Sequence, residues 1–202
     1  MVIANDNNIW LVVVIIPCQE GIRDINKVRS ACFVYDSEGD EVARYDKIHM
    51  FDVDIEDSHG SYRESDTFEA GDQLVVIDTP VGKVGLTICY DLRFAEMHAK
   101  LVDLGAQIIV NGAAFTRTTG KAHWHTLLRA RAIETQCYML AASHGGQHDH
   151  RQTFGHSMII DPWGEILVEL GEGPGIAVAR IDLDHLKTIR RAFPLQYQRR
   201  LK

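Results

Sequence analysis

Short apolar runs alternate with helical patterns along the whole chain, and this alternation constrains the fold more than any other feature. Runs of four to nine apolar residues bounded by turn residues are typical of strands, and apolar residues at helical spacing indicate helices. We predict strands at 9–16, 107–111, 138–143 and 175–183, hairpins turning at 37–40, 80–83 and 161–164, helices at 94–106, 122–136 and 184–192, and a long loop at 52–73.

Interleaved strands, hairpins and helices are typical of layered α/β domains. We therefore expect an α/β fold with a mixed sheet, most simply two sheets covered by helices. The 202 residues suffice for one domain with a substantial core. No repeat or linker divides them, so we assign residues 1–202 to a single domain.

Charge and composition exclude several classes of partner. The net charge of −7 argues against nucleic acid or an anionic membrane surface as the main partner. The apolar run at 9–17 is too short to span a bilayer and ends at Pro17, so we interpret it as a fully buried strand. The four cysteines are scattered without a CxxC pair, which favours free thiols in a reducing cytoplasm.

The stretch GLTICYDLRF at 85–94 places Cys89 where an apolar strand ends and polar residues follow. A thiol before a sharp turn and a helix could be a nucleophile, because backbone N–H groups at a helix start stabilise a thiolate or an oxyanion. A buried structural cysteine is the alternative, and it is the commoner case. This stretch alone leaves both open.

A cysteine nucleophile needs a proton acceptor and a charge partner, and no Cys–His signature is visible among the ten histidines. Lys47, at a predicted strand end, and Glu64, in the long loop, are candidates. Each is more often a solvated surface charge when it is considered alone.

Five sequence blocks, taken together in this order, favour a catalytic role for Cys89, Lys47 and Glu64: RYDKIHMFDVDI, YRESDTFEAGD, VGLTICYDLRFAE, AAFTRTTGKAHWHTLLRARAIETQCY and FGHSMIIDPWGEI. With these blocks the chain resembles the nitrilase-type carbon–nitrogen hydrolase superfamily over nearly its whole length. The finer likeness, carried by RARAIETQCY and GHSMIIDPWG, is to the Nit-type amidases, especially those acting on deaminated glutathione.

The resemblance implies a four-layer α-β-β-α sandwich, a homodimer or larger oligomer, a small amide as substrate, and neither a metal nor an organic cofactor. It implies Cys89 as nucleophile, Lys47 and the Tyr90 backbone N–H as stabilisers of the tetrahedral intermediate, and Glu64 as an orienting residue. It also implies that the pocket is lined by Tyr90, Asp91, Arg93, Phe115 and Thr116. Amide attack by the thiolate would release ammonia and leave a thioester for water to hydrolyse. Which amide is the substrate stays open.

The chain departs from this family before the first predicted strand, because the first strand, the first helix and a segment carrying the triad's first glutamate are lacking. Val14 and Ile15 also stand where the family has small residues. We interpret the chain as N-terminally truncated and expect weak or no activity, since losing a general base costs about 10²–10⁴ in rate. The alternative is a catalytically silent homologue acting only through oligomerisation.

The histidines of HGGQHDH, His144, His148 and His150, are a weak metal candidate because their spacing is irregular for zinc. We also predict that Trp124 is a core or dimer-contact residue and that Arg129, Arg131 and Glu134 form helix ion pairs.

Overall fold

Residues 1–56, 60–148 and 151–201, which the computed structural model describes, form strands and helices in an interleaved order. The strands are β1 (Leu11–Cys18), β2 (Arg29–Tyr35), β3 (Glu41–Asp46), β4 (Asp52–Asp54), β5 (Ser61–Arg63), β6 (Val76–Thr79), β7 (Gly82–Ile88), β8 (Ile108–Ala113), β9 (Tyr138–Ser143), β10 (Gly145–His148), β11 (Arg151–Phe154), β12 (Met158–Ile160) and β13 (Ile166–Glu169). The helices are α1 (Val2–Asn7), α2 (Ala95–Asp103), α3 (Arg117–Thr135), α4 (Leu183–Ala192) and α5 (Leu195–Gln198).

A six-stranded mixed sheet in the order β13-β12-β9-β8-β7-β6 is the central layer. β7, β8 and β9 are parallel neighbours, and their connections run through α2 and α3. Parallel neighbours require such crossovers, which place the helices against the sheet. The outer strands are antiparallel, as predicted from the turns at 80–83 and 161–164.

Helices cover one face of this sheet. Trp124 and Leu128 of α3 and Leu101 of α2 are fully buried in a cluster with Ile109 and Met139 of the sheet. Trp124 is therefore a core residue, as the sequence predicts. No helix within the described residues is long and apolar enough to cross a membrane.

The antiparallel sheet β1-β2-β3 packs on the opposite face. Tyr45 of β3 and Leu86 and Ile88 of β7 are buried together between the two sheets. The sheets approach so closely that a Cβ at Gly112 of β8 would overlap the Val14 side chain of β1. The layered α/β architecture with two sheets is thus confirmed.

The strand β1 is less buried than its apolar sequence predicts. It lies at the edge of its sheet, where Ile15 and Ile16 are 38% and 39% exposed. A bulge between Val13 and Ile16 puts Ile15 at a φ of 63°, and pairing then continues through Pro17 to Cys18. An edge strand tolerates both the bulge and the proline because one side makes no ladder hydrogen bonds.

Three other expectations need correction, and one hairpin was missed. The loop at 52–73 contains the hairpin β4–β5 and a 3₁₀ turn at Glu64–Asp66. The helix predicted at 122–136 begins at Arg117, where the Thr116 side chain caps it. The run at 175–183 forms no strand, and the hairpin β10–β11 was not predicted.

Candidate active site

Cys89 lies at the carboxyl end of β7, where the chain leaves the sheet into a 3₁₀ turn, Cys89–Arg93. Its φ of 50° is in the left-handed region, which a non-glycine residue adopts at a cost of about 1–3 kcal/mol. The sharp turn predicted at this position is confirmed. Carboxyl ends of parallel strands are the usual place for ligands in α/β sheets, so the location also suits a functional thiol.

Asp91 holds this turn in place. Its fully buried carboxylate accepts hydrogen bonds from the Tyr45 hydroxyl at 2.6 Å and the Ile88 backbone N–H at 2.9 Å. The same carboxylate accepts the backbone N–H of His49 at 3.1 Å and contacts its ring Nδ1 at 2.7 Å. A carboxylate with this many partners has no face left for a ligand, so Asp91 is a structural residue rather than the predicted pocket-lining one.

Lys47 and Glu64 form a buried ion pair beside Cys89. Lys47 directly follows β3, and its Nζ donates to Glu64 Oε1 at 2.7 Å and also contacts Oε2. The side chains are only 3% and 18% exposed. The Phe51 backbone N–H donates to Glu64 Oε2 at 2.6 Å, which fixes the carboxylate from a second side. Lysine and glutamate side chains are usually solvated surface charges, but these two are largely buried and paired.

One cavity of about 350 Å³ brings Cys89, Lys47 and Glu64 together. The three residues that the sequence nominated as catalytic therefore share one site. Among the described residues that line the cavity, Glu64 is the only carboxylate. Arg151 and Arg63 are also lining residues, and Arg63 is paired with Asp54 at 2.8 Å. The remaining lining residues are mostly apolar or aromatic: Ile15, Ser30, Phe51, Tyr62, Phe68, Ile88 and Ala114.

The electrostatics of Cys89 differ from the sequence-based expectation of a stabilised thiolate. Burial raises the pKa of the Cys89 thiol above its ordinary value, and the positive charge of Lys47 acts in the opposite direction without reversing the shift. Hydrogen bonding to the backbone of Ala114 and the charge of Arg151 also lower the pKa, whereas the charge of Glu64 raises it. Burial thus favours the protonated thiol, and Lys47 is the main charge that counters this effect.

The other predicted pocket residues surround the turn without lining this cavity. The Tyr90 ring packs against Phe51 at 5.1 Å between centroids. The Arg93 guanidinium lies over the rings of Tyr90 and Phe115, and burial lowers the pKa of Arg93. Phe115 packs on the core side chain Trp124, and Thr116 caps α3. Their side chains support the site from behind.

Arg151 is a cavity residue that the sequence analysis missed. It begins β11 and donates from Nη2 to the Ala114 carbonyl at 2.6 Å. Its guanidinium also lies over the Tyr62 ring, 5.6 Å from the centroid. The only signal was an arginine in the polar stretch after HGGQHDH, where we considered a metal instead.

The proposed histidine cluster at 144–150 is only partly described. The rings of His144 and His148 stack with centroids 4.1 Å apart. His150 lies outside the described residues.

Comparison with known proteins places the chain in a family. A model of the family described as carbon–nitrogen hydrolase matches residues 1–191. The chain belongs to the carbon–nitrogen hydrolase family. Over 174 residues it is 51% identical to a deaminated glutathione amidase from Yersinia enterocolitica, an alignment that covers 85% of this chain and 61% of that protein.

Two solved structures have the same fold. The NitFhit protein of C. elegans superposes with a TM-score of 0.90 at 40% identity, covering 98% of this chain and 48% of that one. The second structure is a mutant of the Nesterenkonia sp. AN1 amidase that shows Michael addition of acrylamide at its active-site cysteine. It superposes with a TM-score of 0.76 at 27% identity, covering 96% of this chain and 72% of that one. The chain thus spans about half to three quarters of the length of these relatives.

Proposed function

We propose that the chain is an amidase that hydrolyses a small amide through a thioester on Cys89. The observation that carries this proposal is the meeting of Cys89, the Lys47–Glu64 ion pair and two arginines in one cavity. The names of the relatives support amide hydrolysis as the reaction class, and an active-site cysteine is recorded for the Nesterenkonia amidase.

The reaction divides between the nucleophile and the groups around it. The Cys89 sulfur attacks the amide carbonyl carbon, and the thiol proton passes to the leaving nitrogen, which departs as ammonia. The carbonyl oxygen becomes an oxyanion in the tetrahedral intermediate, and the Lys47 ammonium together with the Tyr90 backbone N–H stabilises it. Water then attacks the thioester, releasing a carboxylic acid and restoring the thiol.

Glu64 has an orienting role in this scheme. It holds Lys47 by the ion pair and is itself fixed by the Phe51 backbone N–H. A lysine fixed in a largely dry site stabilises developing negative charge more strongly than a mobile one in water.

The cavity also favours an anionic substrate. Arg63 lines it but is paired with Asp54, whereas Arg151 lines it and its Nε is buried without a hydrogen-bond partner among the described residues. Arginine binds carboxylates through paired N–H donors. We therefore propose an amide that carries a carboxylate, of which deaminated glutathione is an example. The cysteines among the described residues are free thiols, which suits a reducing cytoplasm as the location. We also propose that the protein assembles as a homo-oligomer.

Ammonia release from glutaramate-type amides tests the catalytic proposal. We expect turnover that Cys89→Ser abolishes and Lys47→Met lowers by about 10²–10³. Cys18→Ala is the matched control, because Cys18 lies outside the cavity and should be dispensable. Intact-protein mass spectrometry should detect an acyl adduct in the wild type that is missing from Cys89→Ser.

The same assay addresses substrate charge. Arg151→Gln should raise KM for the carboxylate-bearing amide and leave KM for a neutral amide such as butyramide unchanged. Turnover that survives Cys89→Ser would contradict the proposal. If the wild type gives neither ammonia nor adduct, the catalytically silent homologue is favoured. The observation on its side is that the described residues put a single carboxylate in the cavity lining, and Lys47 already binds it.

A further inference from the structure

Two imidazoles and a carboxylate converge at a place outside the cavity of Cys89. Glu169 Oε1, at the end of β13, lies 2.8 Å from Nε2 of His125 on α3 and 2.7 Å from Nδ1 of His156. His156 belongs to the segment between β11 and β12. The three potential ligand atoms all lie within 4.8 Å of one another, and the described residues contain no other such group of three.

This donor set is one that divalent transition metals select. Two histidine nitrogens and one carboxylate occur in zinc sites with an open position and in other first-row metal sites. Zinc bonds of about 2.0–2.1 Å at tetrahedral angles would separate neighbouring ligand atoms by about 3.3 Å. The present N···O separations need to open by about 0.6 Å, and the two nitrogens, which lie within 4.8 Å of each other, need to approach by at most about 1.5 Å. Each bridging proton would be replaced by the metal.

The backbone and the neighbouring rings hold His156 in this position. Its φ of 58° is unusual for a residue with a side chain. Two hydrogen bonds fix it: the His156 carbonyl accepts Trp124 Nε1–H at 2.8 Å, and its N–H donates to the Gly171 carbonyl at 3.1 Å. Its ring stacks on Phe154, 4.3 Å between centroids.

The Phe154 ring is shared by both imidazoles, because the His125 ring meets it edge-on at 6.0 Å. Packing against a common ring restricts the rotation of both ligands. The conformation is thus set before a ligand arrives, which lowers the entropic cost of binding.

We propose that His125, His156 and Glu169 bind one divalent first-row transition-metal ion of the zinc class. The ion would join α3, β13 and the segment after β11, with Phe154 of β11 between its ligands. Because β11 begins at the cavity residue Arg151, the metal would stabilise one wall of the cavity from outside. The proposal is independent of the proposed amidase reaction, because none of the three ligands lines the cavity of Cys89.

Metal-dependent thermal unfolding of the chelator-treated full chain tests this site. With Zn²⁺ at about 100 times its Kd, we expect the Tm to rise by about 5–10 °C. His125→Gln and Glu169→Gln should lose this shift while keeping the metal-free Tm near that of the wild type, since glutamine retains hydrogen-bonding capacity. One Co²⁺ per chain should give the absorption of a tetrahedral site in the wild type but in neither variant.

His185→Ala is the matched control. His185 lies 3.5 Å from Asp161 in a two-residue pair, so its loss should leave the Zn²⁺ shift unchanged. All variants keep the cysteines, so metal binding to thiols contributes equally to each. An unchanged wild-type Tm with Zn²⁺, or an equal rise in Glu169→Gln, would overturn the proposal.

Discussion

The double replacement of Lys47 and Glu64 should cost less stability than the sum of the two single replacements. Because the Lys47 side chain is 3% exposed, Glu64→Gln leaves a buried ammonium without its counter-charge. Breaking one partner of such a pair costs about 3–5 kcal/mol of unfolding free energy, and this variant should be at the upper end. Lys47→Met should be at the lower end, because Glu64 is 18% exposed and keeps the Phe51 N–H.

The double variant Lys47→Met/Glu64→Gln leaves no buried charge. Methionine fills most of the volume of the lysine stem, and the glutamine carbonyl can accept the Phe51 N–H. We therefore expect the double variant to recover about 2–3 kcal/mol relative to the sum of the two single losses. That coupling energy measures the pair itself, separately from the volume changes.

Urea unfolding of the four proteins at pH 7 measures the cycle. With a slope of about 2 kcal/mol/M, a loss of 4 kcal/mol moves the midpoint by about 2 M. The matched control is the surface pair Lys187–Asp184, 2.9 Å apart with side chains 59% and 91% exposed, where the same cycle should give negligible coupling. Additive losses at Lys47 and Glu64, as at the surface pair, would refute the inference that burial makes this pair strong.

Two further predictions concern protonation. Burial lowers the pKa of His98 to about 4, so the folded state binds fewer protons than the unfolded state below pH 6.5. Stability should fall by about 3 kcal/mol as the pH drops from 6.5 to 4, and urea unfolding of His98→Gln should show less of this loss; an identical pH profile would contradict it. The pKa of Cys89 is raised by burial and held back by Lys47, so iodoacetamide should alkylate Cys89 with a midpoint above 8.5, and Lys47→Met should move that midpoint higher. A midpoint well below 8.5 in the wild type would show instead that the site activates the thiol before substrate binds.

Local patterns sufficed for the central sheet and failed where pairing partners decide the structure. The strand predicted at 138–143 has those bounds in the structure, because a continuous apolar run fits a strand that is covered on both faces. The run at 175–183 has a similar pattern, yet Ile176 and Val178 are 87% and 80% exposed and no neighbour pairs with them. Periodicity reports which residues could share a face, but a strand exists only where a second strand lies alongside.

The site was predictable only in part, for a related reason. Lys47, Glu64 and Cys89 were joined through a resemblance spanning the chain, and the structure brings them into one cavity. Proximity in sequence was a poor guide to the remainder: Asp91, two residues after Cys89, is buried away from the cavity, whereas the distant Arg151 lines it. Which way a side chain points after a turn depends on φ, and the left-handed φ of Cys89 was not encoded in any local propensity.

The buried Asp91 carboxylate fixes the segment that carries Lys47 relative to the turn that carries Cys89. The Tyr45 hydroxyl and the His49 backbone and ring all contact its carboxylate, and Lys47 lies midway between those two residues in the sequence. On the other side, Asp91 accepts the N–H of Ile88, directly before Cys89. One carboxylate therefore ties the segment that carries the lysine to the turn that carries the thiol. Rigid attachment of both groups to a shared acceptor is what electrostatic stabilisation of an oxyanion requires, because its benefit comes from charges that do not reorganise. Asp91, one of the polar residues that set this stretch apart from an ordinary strand, thus acts on the thiol by fixing its position relative to Lys47.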